Sequence, residues 1–294
     1  MSDSPIPPDP SPAPSLGILY LVATPIGNLE DITFRAIRML KEADLIAAED
    51  TRHTGKLLHH FQIGTPQISY HEHNAQTRIP QLMEKLRAGQ TIALVSDAGM
   101  PGISDPGYGL VCACAEAGIV VSPIPGPAAV VSAIAASALP SDRFTFEGFL
   151  PVKGKVRTER LTQLATEPRT MVLYESPHRL LKTLGDLQTH LGGERPVTIA
   201  RELTKRYEEF WRGTVRGAIE HFTVTEPRGE FTVAIAGYTT TPQTISEADL
   251  RQQLETLITQ GLSPSNASRQ LAQKTGLSKR EIYQLSLTLQ QEDK

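Results

Sequence analysis

Short, continuous apolar runs separated by glycine- and proline-rich turns dominate the first half of the chain. Leu16-Gly17-Ile18-Leu19-Tyr20-Leu21-Val22-Ala23 and Thr91-Ile92-Ala93-Leu94-Val95 read as buried strands, and Leu45-Ile46-Ala47-Ala48 and Val120-Val121-Ser122-Pro123-Ile124 as two more strands. Between them apolar residues recur at helical spacing. Residues 33–43 place Phe34, Ile37, Leu40 and Ala43 on one expected helix face. Further helices are expected over 54–61, 79–88, 110–115 and 128–137, with an edge strand at 67–70. Strand alternating with helix predicts a mostly parallel sheet covered on both faces.

A second alternating set starts at Phe144-Thr145-Phe146-Glu147-Gly148-Phe149, with strands expected over 170–174, 197–201, 208–213 and 230–236. The last three carry β-branched or aromatic residues at near-alternating positions, which predicts antiparallel pairs. Tyr238-Thr239-Thr240-Thr241-Pro242 reads as a linker. Beyond it, 247–260, 264–275 and 279–289 read as three helices, with Ser263 and Ser278 as N-caps and Gly261 and Gly276 as stops. The expected fold class is therefore α/β: two domains of mixed sheets flanked by helices, plus a small C-terminal helical domain. The expected boundaries are a tail at 1–15, an N-terminal α/β domain at 16–125, a second α/β domain at 126–240 and a helix-turn-helix-like domain at 245–294.

Composition narrows the class of protein. Across 294 residues, 39% are apolar and 21% charged, as in a soluble globular protein, and no window has eighteen uninterrupted apolar residues. The first fifteen residues contain six prolines and no signal-peptide pattern, so they read as a disordered tail. Two cysteines, Cys112 and Cys114, point in different directions on an expected helix, which suggests neither a disulfide nor a metal site. A reducing cytoplasm is the expected setting, with no membrane. The net charge of −3 argues against a general nucleic-acid coat but permits a local basic face.

The densest chemistry lies in Ser96-Asp97-Ala98-Gly99-Met100-Pro101-Gly102-Ile103-Ser104-Asp105-Pro106-Gly107, where five of twelve residues are Gly or Pro. A loop of this kind after a buried strand is where open α/β sheets place ligands. Gly102 and Gly107 have the spacing of a phosphate-loop pair, but Tyr108 stands where its lysine belongs, and the dinucleotide pattern G-x-G-x-x-G is missing. Glu49-Asp50-Thr51-Arg52 also ends a strand, and serves either a site or a helix N-cap. In Tyr174-Glu175-Ser176-Pro177-His178-Arg179 the Ser-Pro pair suits a helix start, and Glu175 would lie near a cleft. His71-Glu72-His73 lacks a third ligand for zinc, and no Gly-x-Ser-x-Gly elbow exists. The basic runs 153–160 and 201–206 are either solvated faces or an RNA-facing surface.

Seven motifs in order resemble the tetrapyrrole methylase superfamily, and within it the branch that methylates small-subunit ribosomal RNA. They are Leu21-Val22-Ala23-Thr24-Pro25-Ile26-Gly27-Asn28-Leu29-Glu30-Asp31, Ala48-Glu49-Asp50-Thr51-Arg52, the loop 96–107, Pro125-Gly126-Pro127-Ala128-Ala129, the 174–179 segment, Ala200-Arg201-Glu202-Leu203-Thr204-Lys205 and Arg228-Gly229-Glu230-Phe231. The resemblance runs from Leu16 to the C-terminus, and the helical tail also resembles that branch's helix-turn-helix extension. It implies S-adenosylmethionine as donor and the 2′-hydroxyl of a decoding-centre cytidine in 16S rRNA as acceptor, within the small ribosomal subunit. It further implies a homodimer, with the donor in the cleft between two domains. By motif, the donor-binding residues would be Asp97, Gly99, Met100, Ile103, Ala128, Ala129, Leu173, Tyr174, Leu203 and Phe231.

A ribose hydroxyl is a poor nucleophile near neutral pH, so a base or a cation is needed beside it. Glu49, Glu175 and Glu202 are candidate bases, and Arg52 and Lys205 could stabilise the developing alkoxide. Glu49 and Arg52 are expected nearest the acceptor, because their strand shares a sheet with the donor loop. Superfamily members acting on corrin and porphyrin precursors carry a more glycine-rich first loop than Thr24-Pro25-Ile26-Gly27-Asn28. A tetrapyrrole-precursor methylase and a non-enzymatic RNA-binding protein are the rival readings.

Overall fold

In the computed structural model, which describes residues 16–239, 246–275 and 277–292, strand and helix alternate through the first half. The elements are β1 (Ile18–Val22), α1 (Phe34–Glu42), β2 (Leu45–Ala48), α2 (Thr51–His60), β3 (Gln67–Ser69), α3 (Ala75–Arg87), β4 (Ile92–Val95), α4 (Tyr108–Glu116), β5 (Val120–Ile124) and α5 (Ala129–Ala136). The strands form one all-parallel sheet in the order β3-β2-β4-β1-β5. Every residue of β2 and β4 is buried, because helices cover both faces. On one side Val22, Ile46, Ala48 and Val95 meet Ala36 and Leu40 of α1 and Leu58 of α2. On the other, Leu19, Ala47 and Leu94 meet Leu82 and Leu86 of α3 and Leu110 and Cys114 of α4.

Two local expectations need correcting. Phe34 was expected on the apolar face of α1 but is 94% exposed. It is the first helical residue after the Thr33 cap, and the buried stripe runs through Ala36, Met39 and Leu40 instead. Helix α3 starts at Ala75, four residues earlier than the pattern suggested, and runs through Pro80. That proline forfeits a bond to the carbonyl of Gln76, and the burial of Leu82, Met83 and Leu86 further on outweighs the loss.

The second half comprises β6 (Phe144–Phe149), α6 (Gly154–Ala165), β7 (Thr170–Glu175), α7 (Pro177–Leu191), β8 (Pro196–Arg201), β9 (Glu209–Thr214), α8 (Val215–Val224) and β10 (Phe231–Ile235). Its sheet runs β6-β7-β10-β8-β9; only β6 and β7 pair in parallel, and the other pairs are antiparallel. Leu173, Val233, Ile199 and Ile235 pack on Leu180, Leu184 and Leu187 of α7 and Val215 and Phe222 of α8. The opposite face of this sheet receives α5, whose Val130 and Ile134 meet Val172 of β7 and Ala234 of β10. Helix α5 thus follows the first sheet in sequence but packs on the second. The described residues up to Gly237 form one compact unit, and the expected boundary at 125/126 falls inside it.

A separate helical unit contains α9 (Glu247–Thr259), α10 (Pro264–Thr275) and α11 (Lys279–Glu292), which bury Leu250, Leu254, Ala267, Leu271 and Ile282 among themselves. Ser246 caps α9 through the amide of Asp249. The tail expected at 1–15, most of the linker and the Gly276 stop lie outside the described residues.

Candidate functional site

Two loops at the C-terminal ends of adjacent strands build one wall of a cavity. After β1, Thr24 exchanges backbone hydrogen bonds with Gly99 at 2.9 and 3.0 Å, and its hydroxyl donates to the carbonyl of Ser96 at 3.1 Å. The first loop is thereby fastened to the 96–107 loop that follows β4. Gly107 has φ +152°, and a Cβ there would come within 3.0 Å of the Gly102 backbone nitrogen, so the loop closes on itself only with glycine at that position. Ser104 lies in the left-handed region at φ +60° although it is not glycine.

The opposite wall comes from the second sheet and from α5. The Tyr174 hydroxyl accepts the Val130 N–H at 3.2 Å, joining β7 to the first turn of α5. Phe146 and Phe149 of β6 set their rings edge-on to that of Tyr174, with centroids 4.8 and 5.7 Å away. The space enclosed is about 620 Å³ and is bordered by Gly99, Met100, Ile103, Asp105, Ala128, Ala129, Tyr174, Glu175, Leu203, Glu230 and Phe231, among others. That volume is in the range of small-molecule and cofactor sites, and its apolar lining with few polar groups is typical of them.

Eight of the ten residues expected around a donor therefore meet at one cavity: Gly99, Met100, Ile103, Ala128, Ala129, Tyr174, Leu203 and Phe231. The other two stand off it. Leu173 alternates with Tyr174 along β7, so its side chain enters the core under α7 and α8. Asp97 turns its carboxylate to the crest of the first sheet, where it accepts the Asp50 N–H at 3.1 Å.

The four residues expected on the acceptor side are spread around the site. Only Glu175 lines the cavity, and its carboxylate is already engaged. It accepts the Thr183 hydroxyl at 2.6 Å and the Ser176 N–H at 2.8 Å, and lies 3.4 Å from the Arg179 guanidinium. Glu49 ends β2 beside Asp97, whose N–H points to its carboxylate at 3.4 Å. Burial raises the Glu49 carboxyl above its ordinary value, with that amide pulling the other way. Arg52 is exposed and paired with Asp50 at 2.7 Å, while Asp50 also caps α2 through the Arg52 N–H. Lys205 is held by Glu202 at 2.9 Å and by Glu230, a cavity residue. Burial opposes ionisation of Glu202, but the Glu230 amide and the Lys205 ammonium outweigh it and keep that carboxyl below its ordinary value. The stem of Lys205 lies so close to Gly27 that a Cβ there would come within 2.3 Å of its Cγ.

Asp105 is among the cavity residues that the sequence does not single out. It sits between the strained Ser104 and Pro106, and its carboxyl is pushed up to about 6 by burial, against a hydrogen bond from Ser96 and with the like charges of Glu49 and Asp97 adding to the rise. Its only signal in the sequence is its place in the loop 96–107, which it shares with Asp97. The basic runs also differ from their appearance as continuous faces. Arg157 is buried, pairing with Asp186 at 2.8 Å and donating to the Thr183 hydroxyl at 3.0 Å and the Pro151 carbonyl at 2.8 Å.

Comparison with known proteins gives these features a lineage. Residues 18–219 match the tetrapyrrole (corrin/porphyrin) methylases, and residues 244–290 match the RsmI C-terminal HTH domain. The chain is 60% identical to the ribosomal RNA small subunit methyltransferase I of Synechocystis sp., covering 94% of this chain and 99% of that protein. It is 51% identical to the protein of that name from Thermotoga maritima over 222 residues, which are 76% of this chain and 99% of that one. Among solved structures, it resembles the Thermus thermophilus uroporphyrin-III C-methyltransferase complexed with S-adenosylhomocysteine, with a TM-score of 0.54, 21% identity and coverage of 75% of this chain and 97% of that one. These similarities, carried through both sheets and the helical unit, make the chain a member of the ribosomal RNA small subunit methyltransferase I family, built on the tetrapyrrole methylase fold.

Proposed function

We propose that the protein transfers a methyl group from S-adenosylmethionine to the 2′-hydroxyl of a cytidine ribose in the decoding centre of 16S rRNA, acting on the small ribosomal subunit as a homodimer in the cytoplasm. The observation that carries this reading is 60% identity, over nearly its whole length, to a named small-subunit rRNA methyltransferase. The choice of ribose oxygen, cytidine, decoding centre and dimer rests on the resemblance of the ordered motifs. Among the described residues no helix is long and apolar enough to cross a membrane.

The cavity suits the donor. Its volume and apolar lining fit a molecule of that size, and the ring of Tyr174, backed by Phe146 and Phe149, offers a face for a purine. In this reading Gly99, Met100, Ile103, Ala128, Ala129, Tyr174, Leu203 and Phe231 hold the donor. Asp97 supports them by fixing the amide of Asp50, and Leu173 by seating Tyr174 on β7. Bound there, S-adenosylmethionine supplies an electrophilic methyl group on a sulfonium, and alignment for in-line displacement is the main service a protein can offer it.

The acceptor approaches along the crest that carries Glu49 and Arg52. A carboxylate beside the acceptor takes the hydroxyl proton, and Arg52 and Lys205 supply positive charge near the developing oxyanion. Glu175, with three partners already, fixes the start of α7 and the end of β7.

Labelled methyl donor offered in parallel with small ribosomal subunits, free 16S rRNA and a porphyrinogen tests the reading. Labelling of one cytidine in the ribosomal substrates, abolished by a 2′-deoxy substitution at that nucleotide, is expected. Label on a base, or on the porphyrinogen alone, overturns it.

A further inference from the structure

Three carboxylates border the cavity, and two are committed elsewhere. Glu175 is held by Thr183, Ser176 and Arg179. Glu230 is tied to Lys205, and its side chain is 76% exposed. Asp105 is the third, and no cation is among the groups that act on it. Burial and the neighbouring carboxylates Glu49 and Asp97 disfavour its charged form, against the pull of the Ser96 hydroxyl.

The backbone holds this carboxylate in place. Ser104, just before it, keeps φ +60°, a conformation that persists in a non-glycine residue only where the surroundings enforce it. Across the cleft, Ser104 Oγ lies so near Gly148 of β6 that a Cβ there would meet it at 3.0 Å, and within the loop itself Gly107 is pressed against Gly102. Asp105 and Tyr174 border the same cavity.

Resting on the methyl-transfer reading above, we propose that Asp105 is the general base of the reaction, and that Glu49, off the cavity, is a positioning residue that tunes it. The ribose oxygen forms its bond to the methyl carbon as the carbon–sulfur bond breaks with its electron pair going to sulfur. The hydroxyl proton passes to the Asp105 carboxylate, which releases it to solvent after the product leaves. A base whose carboxyl titrates near 6 is ionised at neutral pH yet basic enough to accept a proton as the new bond forms.

The test compares wild type with Asp105→Asn, Asp105→Glu and Glu49→Gln under single-turnover conditions on small ribosomal subunits. Donor affinity is measured by calorimetry, and the Asp105 carboxyl is titrated by ¹³C NMR in the donor-free protein. Asp105→Asn is expected to lose about 100-fold or more in rate, with donor affinity within threefold and without the acid limb of the pH profile; Asp105→Glu recovers part of the rate. Glu49→Gln shifts both that limb and the carboxyl titration to lower pH. An Asp105→Asn enzyme within a few-fold of wild type, or one that keeps the acid limb, overturns the assignment while leaving methyl transfer intact. A wild-type protein that labels no ribosomal substrate overturns the methyl-transfer reading and this assignment with it. An Asp105→Asn variant that no longer binds donor shows a structural role and also overturns it.

Discussion

Asp105 leaves a mark on stability as well as on chemistry. Its carboxyl is raised above the unfolded value, so between roughly pH 4 and 6 the folded chain binds more protons than the unfolded one. Stability therefore falls as pH rises through that window, and the deficit persists above it. Asp105→Asn is accordingly expected to melt higher than wild type at pH 8, with the difference shrinking as pH falls through 6 and nearly gone only below about pH 4; scanning calorimetry at pH 8 and at about pH 3.5 checks this. A residue whose replacement strengthens the fold and weakens the reaction is typical of a site kept for function. Such a residue is hard to read from sequence, because what distinguishes Asp105 from Asp97, eight positions earlier, is the path of the loop between them. Arg157 shows the converse difficulty. Its neighbours in sequence look like a solvated basic face, and only the fold reveals that Asp186 and Thr183 close around it.

Among the elements, those that place the site followed from simple periodicities. Four apolar runs became β2, β4, β1 and the edge strand β5 of the first sheet, and their C-terminal loops lie at the edge where open α/β sheets place ligands. Leu173 and Tyr174 are both expected at the donor, yet the two-residue period of β7 sends Tyr174 to the cavity and Leu173 to the core. What periodicity misses is contest between elements: α3 runs through Pro80 because its later turns are buried, and α1 leaves Phe34 in solvent because its stripe is set by Ala36, Met39 and Leu40. The 96–107 loop is the element most sensitive to a small change. Gly107→Ala would drive a Cβ to 3.0 Å from the Gly102 nitrogen, so the loop must open away from the cavity. A cost of about 1–2 kcal/mol is expected for an alanine forced to positive φ. If the loop carries it at the site, donor affinity falls about tenfold, and calorimetric titration of donor into the variant measures it.

The molecule as a whole divides its labour between a two-sheet unit and a helical one. The Thermotoga relative is nearly all accounted for by 222 aligned residues, about the length of the two-sheet unit alone. All residues of the cavity belong to that unit. A chain ending at residue 239 is therefore expected to bind the donor within threefold of full length, and its affinity for the small ribosomal subunit relative to full length reads out what the helical unit adds. Calorimetry and a subunit-pelleting assay measure the two separately. The three-helix unit was legible from its caps and stops, but its contribution was not, since its buried residues serve its own core. Joining the two sheets is a segment whose residues, Pro125-Gly126-Pro127, include two with a locked φ. Beyond it, α5 is seated on the second sheet and tied to Tyr174 by its first turn. The passage from one sheet to the other is thus a stiff splice, and the cavity between them behaves as a cast mould rather than a jaw. Any change in its opening is then left to the short segments at its rim, those that carry Ile26, Ser104 and Leu203.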